Sequence, residues 1–183
     1  MTLFQQIDVH WVTALIAFGM GWVFLMSDWR GRTTRAMAAC LILIGMALAW
    51  GSLPPAWQFL PPRWHLALTA FWEYTSIFAG IEWERRIGHV VIGRLGLAIN
   101  ALFRSGQILV LVSLGLRWLF ISLGLGWTQT TSDGLIRFQG IEFAIFTPLI
   151  GTAMLCCVIA MSFLWFSKKV DSAEKIRLRA LFW

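Results

Sequence analysis

Apolar positions along the chain gather into long blocks. They neither alternate as in a half-buried strand nor form the narrow stripe of a short surface helix. Five blocks run long enough to cross a bilayer, for which a helix needs about 20 mostly apolar residues: His10–Met26, Arg35–Leu53, Trp64–Trp83, Gln107–Gly126 and Glu142–Phe166. The pattern predicts an all-α, polytopic membrane helix bundle with five transmembrane helices. A sixth apolar stretch, residues 87–106, reads differently. His89, Gly93, Gly96, Asn100 and Arg104 recur at steps of three and four, and Val91, Ile92, Leu95, Ala98, Ile99, Leu102 and Phe103 cover the other face. Such segregation predicts an interfacial amphipathic helix lying on the cytoplasmic membrane surface, basic side toward the headgroups. Were it a true span, it would reverse the N-terminus.

The connections fix the orientation. The first ten residues carry no Lys or Arg. The next connection holds Arg30, Arg32 and Arg35, the following one Arg63, and the segment after the third span Arg85, Arg86, Arg94 and Arg104. Then come Arg137, alone, and Lys168, Lys169, Lys175, Arg177 and Arg179 after the last span. Twelve basic residues thus fall on one side and two on the other, with Arg117 alone inside a span. Because short basic loops stay cytoplasmic, the N-terminus is expected outside and the C-terminus inside. The organisation is then a transmembrane domain, 1–167, and a cytoplasmic basic helical connector or tail, 168–183. In the outer loops, the two Pro-Pro pairs of LPPAWQFLPPR force a turn, with Trp57 and Phe59 expected in the headgroup layer, and TQTTSDG reads as an exposed turn.

Composition agrees with a membrane chain. Of 183 residues, 58% are hydrophobic and 13% charged, about half the charge of a soluble domain. Twelve Trp against one Tyr suit a protein with two interfaces to decorate. The net charge of +6 is spread in short clusters between apolar runs, and no nucleic-acid motif accompanies it, so membrane lipids and not nucleic acid are the expected partners. Cys40, Cys156 and Cys157 all lie in apolar segments and imply no disulfide framework; the vicinal pair reads as packing. No cleavable signal stands at the start, and no phosphate loop, nucleophile elbow or HExxH marks an enzyme.

Two charges lie near the middle of spans. Glu73 sits near the middle of the third and Arg117 near the middle of the fourth, each costing on the order of 3 kcal/mol if left alone in hydrocarbon. At matching depth on successive antiparallel helices they can face one another. They are read either as an ion pair that fixes helix register, or as part of a polar ligand-binding pocket completed by Tyr74 and Thr75. His10 and His65 both start spans on the outer side. Their rings suit the interface without a ligand, and the alternative is a pair of axial ligands to haem b. No metal is otherwise expected. Pro148, after Thr147, predicts a bend in the last span, and Gly19, Gly21 and Gly115 predict close helix approaches.

The tail SKKVDSAEKIRLRALFW has helix formers from Ala173 onward but leaves Leu181, Phe182 and Trp183 with nothing after them to cover them. Either the helix folds back along the membrane or a further domain follows. Several spans, arginine-bearing inner turns, an LPPxW-like outer turn and a last span running into "EKIRLRAL" resemble the N-terminal membrane sensor region of bacterial GGDEF-type diguanylate cyclases. The GGDEF sequence itself is absent. The resemblance implies a non-enzymatic sensory or anchoring domain of the bacterial inner membrane. It would dimerise through the last span and connector and pass a signal to a cytoplasmic output domain. The alternatives are a small accessory subunit, or a haem-b electron-transfer subunit, of a larger membrane complex.

Overall fold

The computed structural model describes residues 9–53, 60–88, 93–123, 127–130, 136–139 and 141–166. Five helices follow one another: α1 (Val9–Ser27), α2 (Arg32–Gly51), α3 (Pro62–Gly88), α4 (Arg94–Leu123) and α5 (Ile141–Phe166). Between α4 and α5 stands an antiparallel hairpin, β1 (Trp127–Thr130) and β2 (Ile136–Gln139), with Trp127 opposite Gln139 and Thr130 opposite Ile136. The first three residues of the segment expected as an exposed turn, Thr128–Thr130, belong to β1, and 131–134 lie outside the described residues. Residues 54–59 of the proline-rich outer loop, with Trp57 and Phe59, lie outside the described residues, as do His89 and the basic tail 168–183, while the second Pro-Pro pair leads into α3 at Pro62.

Among the described residues four helices, α1, α2, α4 and α5, are long and apolar enough to cross a membrane. The protein therefore has the character of a multi-pass membrane protein. α3 is set apart by Glu73 and by the cluster Glu82, Glu84, Arg85 and Arg86. Large apolar side chains stand exposed on the outer surfaces, among them Leu15, Trp22, Val23 and Met26 of α1 and Ile108, Leu111 and Leu119 of α4. A helix that is apolar all round belongs in hydrocarbon, where such faces carry no penalty.

Each helix packs on the next, and α5 returns to touch α3. The pairing of α1 with α2 depends on small residues. A Cβ on Gly21 would lie 2.8 Å from Ile42 Cγ1, and one on Gly45 would lie 3.1 Å from both the Ala14 carbonyl oxygen and Phe18 Cγ. Close backbone approach of this kind replaces the hydrophobic driving force that hydrocarbon cannot supply. Gly19 and Gly115, by contrast, face open space, so the expected approach is made at Gly21 and not at those two. The main core joins α3, α4 and α5, with Tyr74, Ile81, Ile99, Phe103, Val110, Met161 and Leu164 buried together. Ala153, Cys157 and Ala160, spaced along one face of α5, let α4 come near, and a Cβ on Gly106 would sit 3.2 Å from the Ala153 carbonyl.

The separate surface helix expected over 87–106 is not found. α3 runs on to Gly88, and α4 begins after Gly93, whose φ is 94° and whose carbonyl accepts from Leu97 N–H. From there residues 94–123 form one continuous helix of 30 residues, about 45 Å long. Its first turns carry exposed Arg94 and Arg104, and its apolar face is divided: Leu95 and Ala98 are exposed. Ile99 (1% exposed) and Phe103 (0%) lie in the protein core. Segregation of polar and apolar residues marks a half-buried helix, and packing on α3 and α5 satisfies it as well as a membrane surface would.

Candidate functional site

A cleft of about 780 Å³ opens between α2 and α5, which share no extensive packing among the described residues. Ile44, Ala47 and Leu48 of α2 form one wall, and Phe146, Thr147, Ile150 and Gly151 of α5 the other. The floor is α3, where Glu73, Tyr74, Ser76 and Ile77 fall on one face because helical neighbours recur at steps of three and four. Arg117 of α4 reaches the same space.

Glu73 and Arg117 meet there. Arg117 Nη1 lies 3.3 Å from Glu73 Oε2, and its guanidinium carbon sits 5.6 Å from the centre of the Tyr74 ring. The two partners are unequally covered, the Arg117 side chain being 15% exposed and that of Glu73 47%. The guanidinium is thus held between a carboxylate and an aromatic face, while the carboxylate looks into the cleft. Thr75 does not take part. Its hydroxyl donates to the Phe71 carbonyl at 2.6 Å and turns back along its own helix. Three of the four residues proposed from sequence, Glu73, Arg117 and Tyr74, are therefore together at one cavity, and the fourth is not among its lining. Ser76, which sequence reasoning passed over, takes the place expected of Thr75, with its hydroxyl donating to the Glu73 carbonyl at 2.7 Å.

The α5 wall brackets a weak point. Pro148 lies inside the helix between Thr147 and Ile150. It has no N–H to give the carbonyl one turn before it, and its ring crowds that turn. The Thr152 hydroxyl donates to the Pro148 carbonyl at 2.7 Å, which adds to the local departure from regular bonding.

A second polar cluster closes the end of the bundle where the basic turns meet. Glu82 accepts from Arg85 Nε and Nη2 and from Arg86 Nε, all at 2.8 Å, and from Gln107 Nε2 at 3.0 Å. Arg85 Nη1 also donates to Asn100 Oδ1 at 3.1 Å, and Arg86 Nη1 to the Arg32 carbonyl at 2.6 Å. The knot of charges that ends α3 is thereby tied to α4 and to the start of α2. Gln107 was legible in principle, since it continues the polar stripe through Asn100 and Arg104 by one more step. Beside this network Glu84 stands apart, its Oε2 buried without a hydrogen-bond partner among the described residues.

His10 and His65 stand on different helices. His10 is exposed near the start of α1. His65 is buried, stacked on Trp50 at 5.3 Å, and its carbonyl takes a bond from Trp50 Nε1 at 3.3 Å. α1 packs on α2, and α2 on α3, whereas α1 and α3 share no extensive packing among the described residues. No protein-family model, no curated protein and no solved structure matches this chain, so the likeness to the GGDEF-associated sensor region rests on the layout of the sequence alone.

Proposed function

We propose that this chain is a five-span membrane sensory domain, N-terminus outside and C-terminus inside. A small molecule partitioned in the bilayer enters between α2 and α5 and settles beside the Glu73–Arg117 pair. The response leaves through α5 and the basic segment 168–183 to an output unit on the cytoplasmic side. α3 serves as the fifth span because its charges turn inward, Glu73 to Arg117 and Glu82 to Arg85, Arg86 and Gln107. The orientation draws on the bond from Arg86 to the Arg32 carbonyl, which brings two basic turns to one end, where the positive-inside rule wants them.

One observation carries the reading: the cleft wall on α5 spans Pro148, so an occupant touches the last helix at its most deformable turn. A ligand shifts an equilibrium only if it binds the two arrangements unequally. A straighter and a more bent α5 would differ in the width of this cleft, which supplies that inequality. Hydrogen exchange tests it. In nanodiscs of total bacterial lipid extract, α5 amides around Pro148 should exchange at a different rate from those in synthetic phosphatidylcholine. Gly151→Trp, which fills the cleft, should erase the difference. Equal exchange in both lipids for the unaltered chain would count against a sensory role and favour an accessory subunit.

A further inference from the structure

The geometry points to a ligand class: we infer that the cleft takes a neutral lipophile bearing a hydrogen-bond donor, such as a long-chain alcohol or an alkyl hydroquinone. The inference rests on the cleft being a binding site at all, and it adds what that site selects.

Charge comes first. Glu73 and Arg117 sum to zero, so a charged headgroup entering an apolar cleft would lose its hydration without meeting an uncompensated opposite charge. A neutral head avoids that cost. Direction comes second. Arg117, the donor of the pair, is the sheltered partner, already placed against Glu73 Oε2 and over Tyr74. Glu73 is the half-exposed partner, and an ionised carboxylate only accepts. With Arg117 on Oε2 and no hydrogen bond to Oε1 among the described residues, Oε1 is the atom that an occupant bringing an O–H or N–H would meet. The Ser76 hydroxyl beside it is turned onto the Glu73 carbonyl and offers no competing donor. Shape comes third. Ile44, Leu48, Ile77, Phe146 and Ile150 supply an apolar bed for a hydrocarbon body, and the volume lies within the range of small-molecule sites. Entry between two helices that share no extensive packing among the described residues leads in from the bilayer, where such a molecule is concentrated.

Photo-crosslinking of the full chain in nanodiscs tests the class. The probes are dodecyl chains with a mid-chain diazirine and one of four heads: hydroxyl, methyl ether, carboxylate or trimethylammonium. The labelled peptides are identified by mass spectrometry. The hydroxyl probe should label α2 around Ile44–Leu48 and α5 around Phe146–Gly151 at least tenfold more than the methyl ether. Glu73→Gln should reduce the preference to about threefold or less, and Gly151→Trp should abolish labelling there by every probe. The glycine position accepts a side chain without disturbing the backbone, since a Cβ there meets nothing within 4 Å. Equal labelling by hydroxyl and ether, or stronger labelling by a charged head, overturns the proposed class while leaving the cleft a binding site. Labelling that Gly151→Trp does not lower for any head overturns the site itself.

Discussion

Removing Arg117 is the most informative single perturbation of the bundle. Arg117→Leu leaves Glu73 without its counter-ion near the middle of a helix. At the observed 3.3 Å, two unit charges attract by about 5 kcal/mol for an effective dielectric of 20. Desolvation offsets much of that attraction, but stripping one partner from such a pair leaves the other charge uncompensated, at about 3–5 kcal/mol. With Glu73 half exposed, the lower figure applies, and it matches the cost of about 3 kcal/mol for one charge at a helix centre. Glu73→Gln should cost about as much, because it takes the carboxylate charge away from Arg117, the more deeply covered of the two. The double change removes both charges and should lie within about 1 kcal/mol of the parent. Unfolding free energies from steric trapping in bicelles would give the cycle. The expected single and double costs imply a coupling of about 5 kcal/mol, well beyond the roughly 0.3–0.5 kcal/mol scatter of independent sites. The double variant should fold and yet fail to select the hydroxyl probe. Additive single effects would refute the claim that the pair, and not each residue separately, makes α3 tolerable in the membrane.

Three further predictions concern the rest of the bundle. Glu82→Gln removes the acceptor charge shared by Arg85, Arg86 and Gln107 and should cost about 2–3 kcal/mol, whereas Glu84→Gln, at a buried oxygen with no partner, should be neutral or stabilise by about 1 kcal/mol. The same unfolding assay reads both, and the opposite ranking would disprove the assignment of roles. Gly45→Leu should destabilise by about 1–3 kcal/mol through collision with Ala14 and Phe18, while Gly19→Leu, facing open space, should change stability by less than about 0.5 kcal/mol. In a cysteine-free background, Trp29→Cys should resist a membrane-impermeant maleimide in intact cells and Arg63→Cys should react, with the reverse in inverted vesicles; the opposite pattern would invert the proposed topology.

What the sequence reveals here depends on whether a feature is local. Span length and the distribution of arginine are one-dimensional, so α1, α2 and α5 and the depth match between Glu73 and Arg117 could be read directly. The limits of α4 could not. Arg94 and Arg104 discourage a span when counted by residue, but a helix of about 45 Å keeps them at one end and still has enough apolar length beyond. Amphipathicity over 95–103 was real, and only packing decides whether Ile99 and Phe103 face lipid or protein. At the site, the polar residues were legible and the walls were not. Ile44, Ala47 and Leu48 look like any lipid-facing stretch, and they line a cleft only because α2 and α5 fail to close on each other. Thr75 and Ser76 are equally suitable by type, and the helical turn between them decides which one reaches the cavity.

The central claim is that filling the cleft moves α5 relative to α2, and it can be tested without knowing the natural ligand. Spin labels at Ala39 and Val158, both exposed, report the separation of the two helices once Cys40, Cys156 and Cys157 are replaced by serine or alanine. Pulsed electron–electron distance measurements in nanodiscs would compare the parent with Gly151→Ala and Gly151→Trp. Gly151→Trp acts as a built-in occupant and should shift the mean distance by about 2 Å or more, the scale of the helix shifts that switching proteins use. The hydroxyl probe should move the parent in the same direction, and Gly151→Ala should leave it unchanged. One distance distribution common to all four samples would contradict the account.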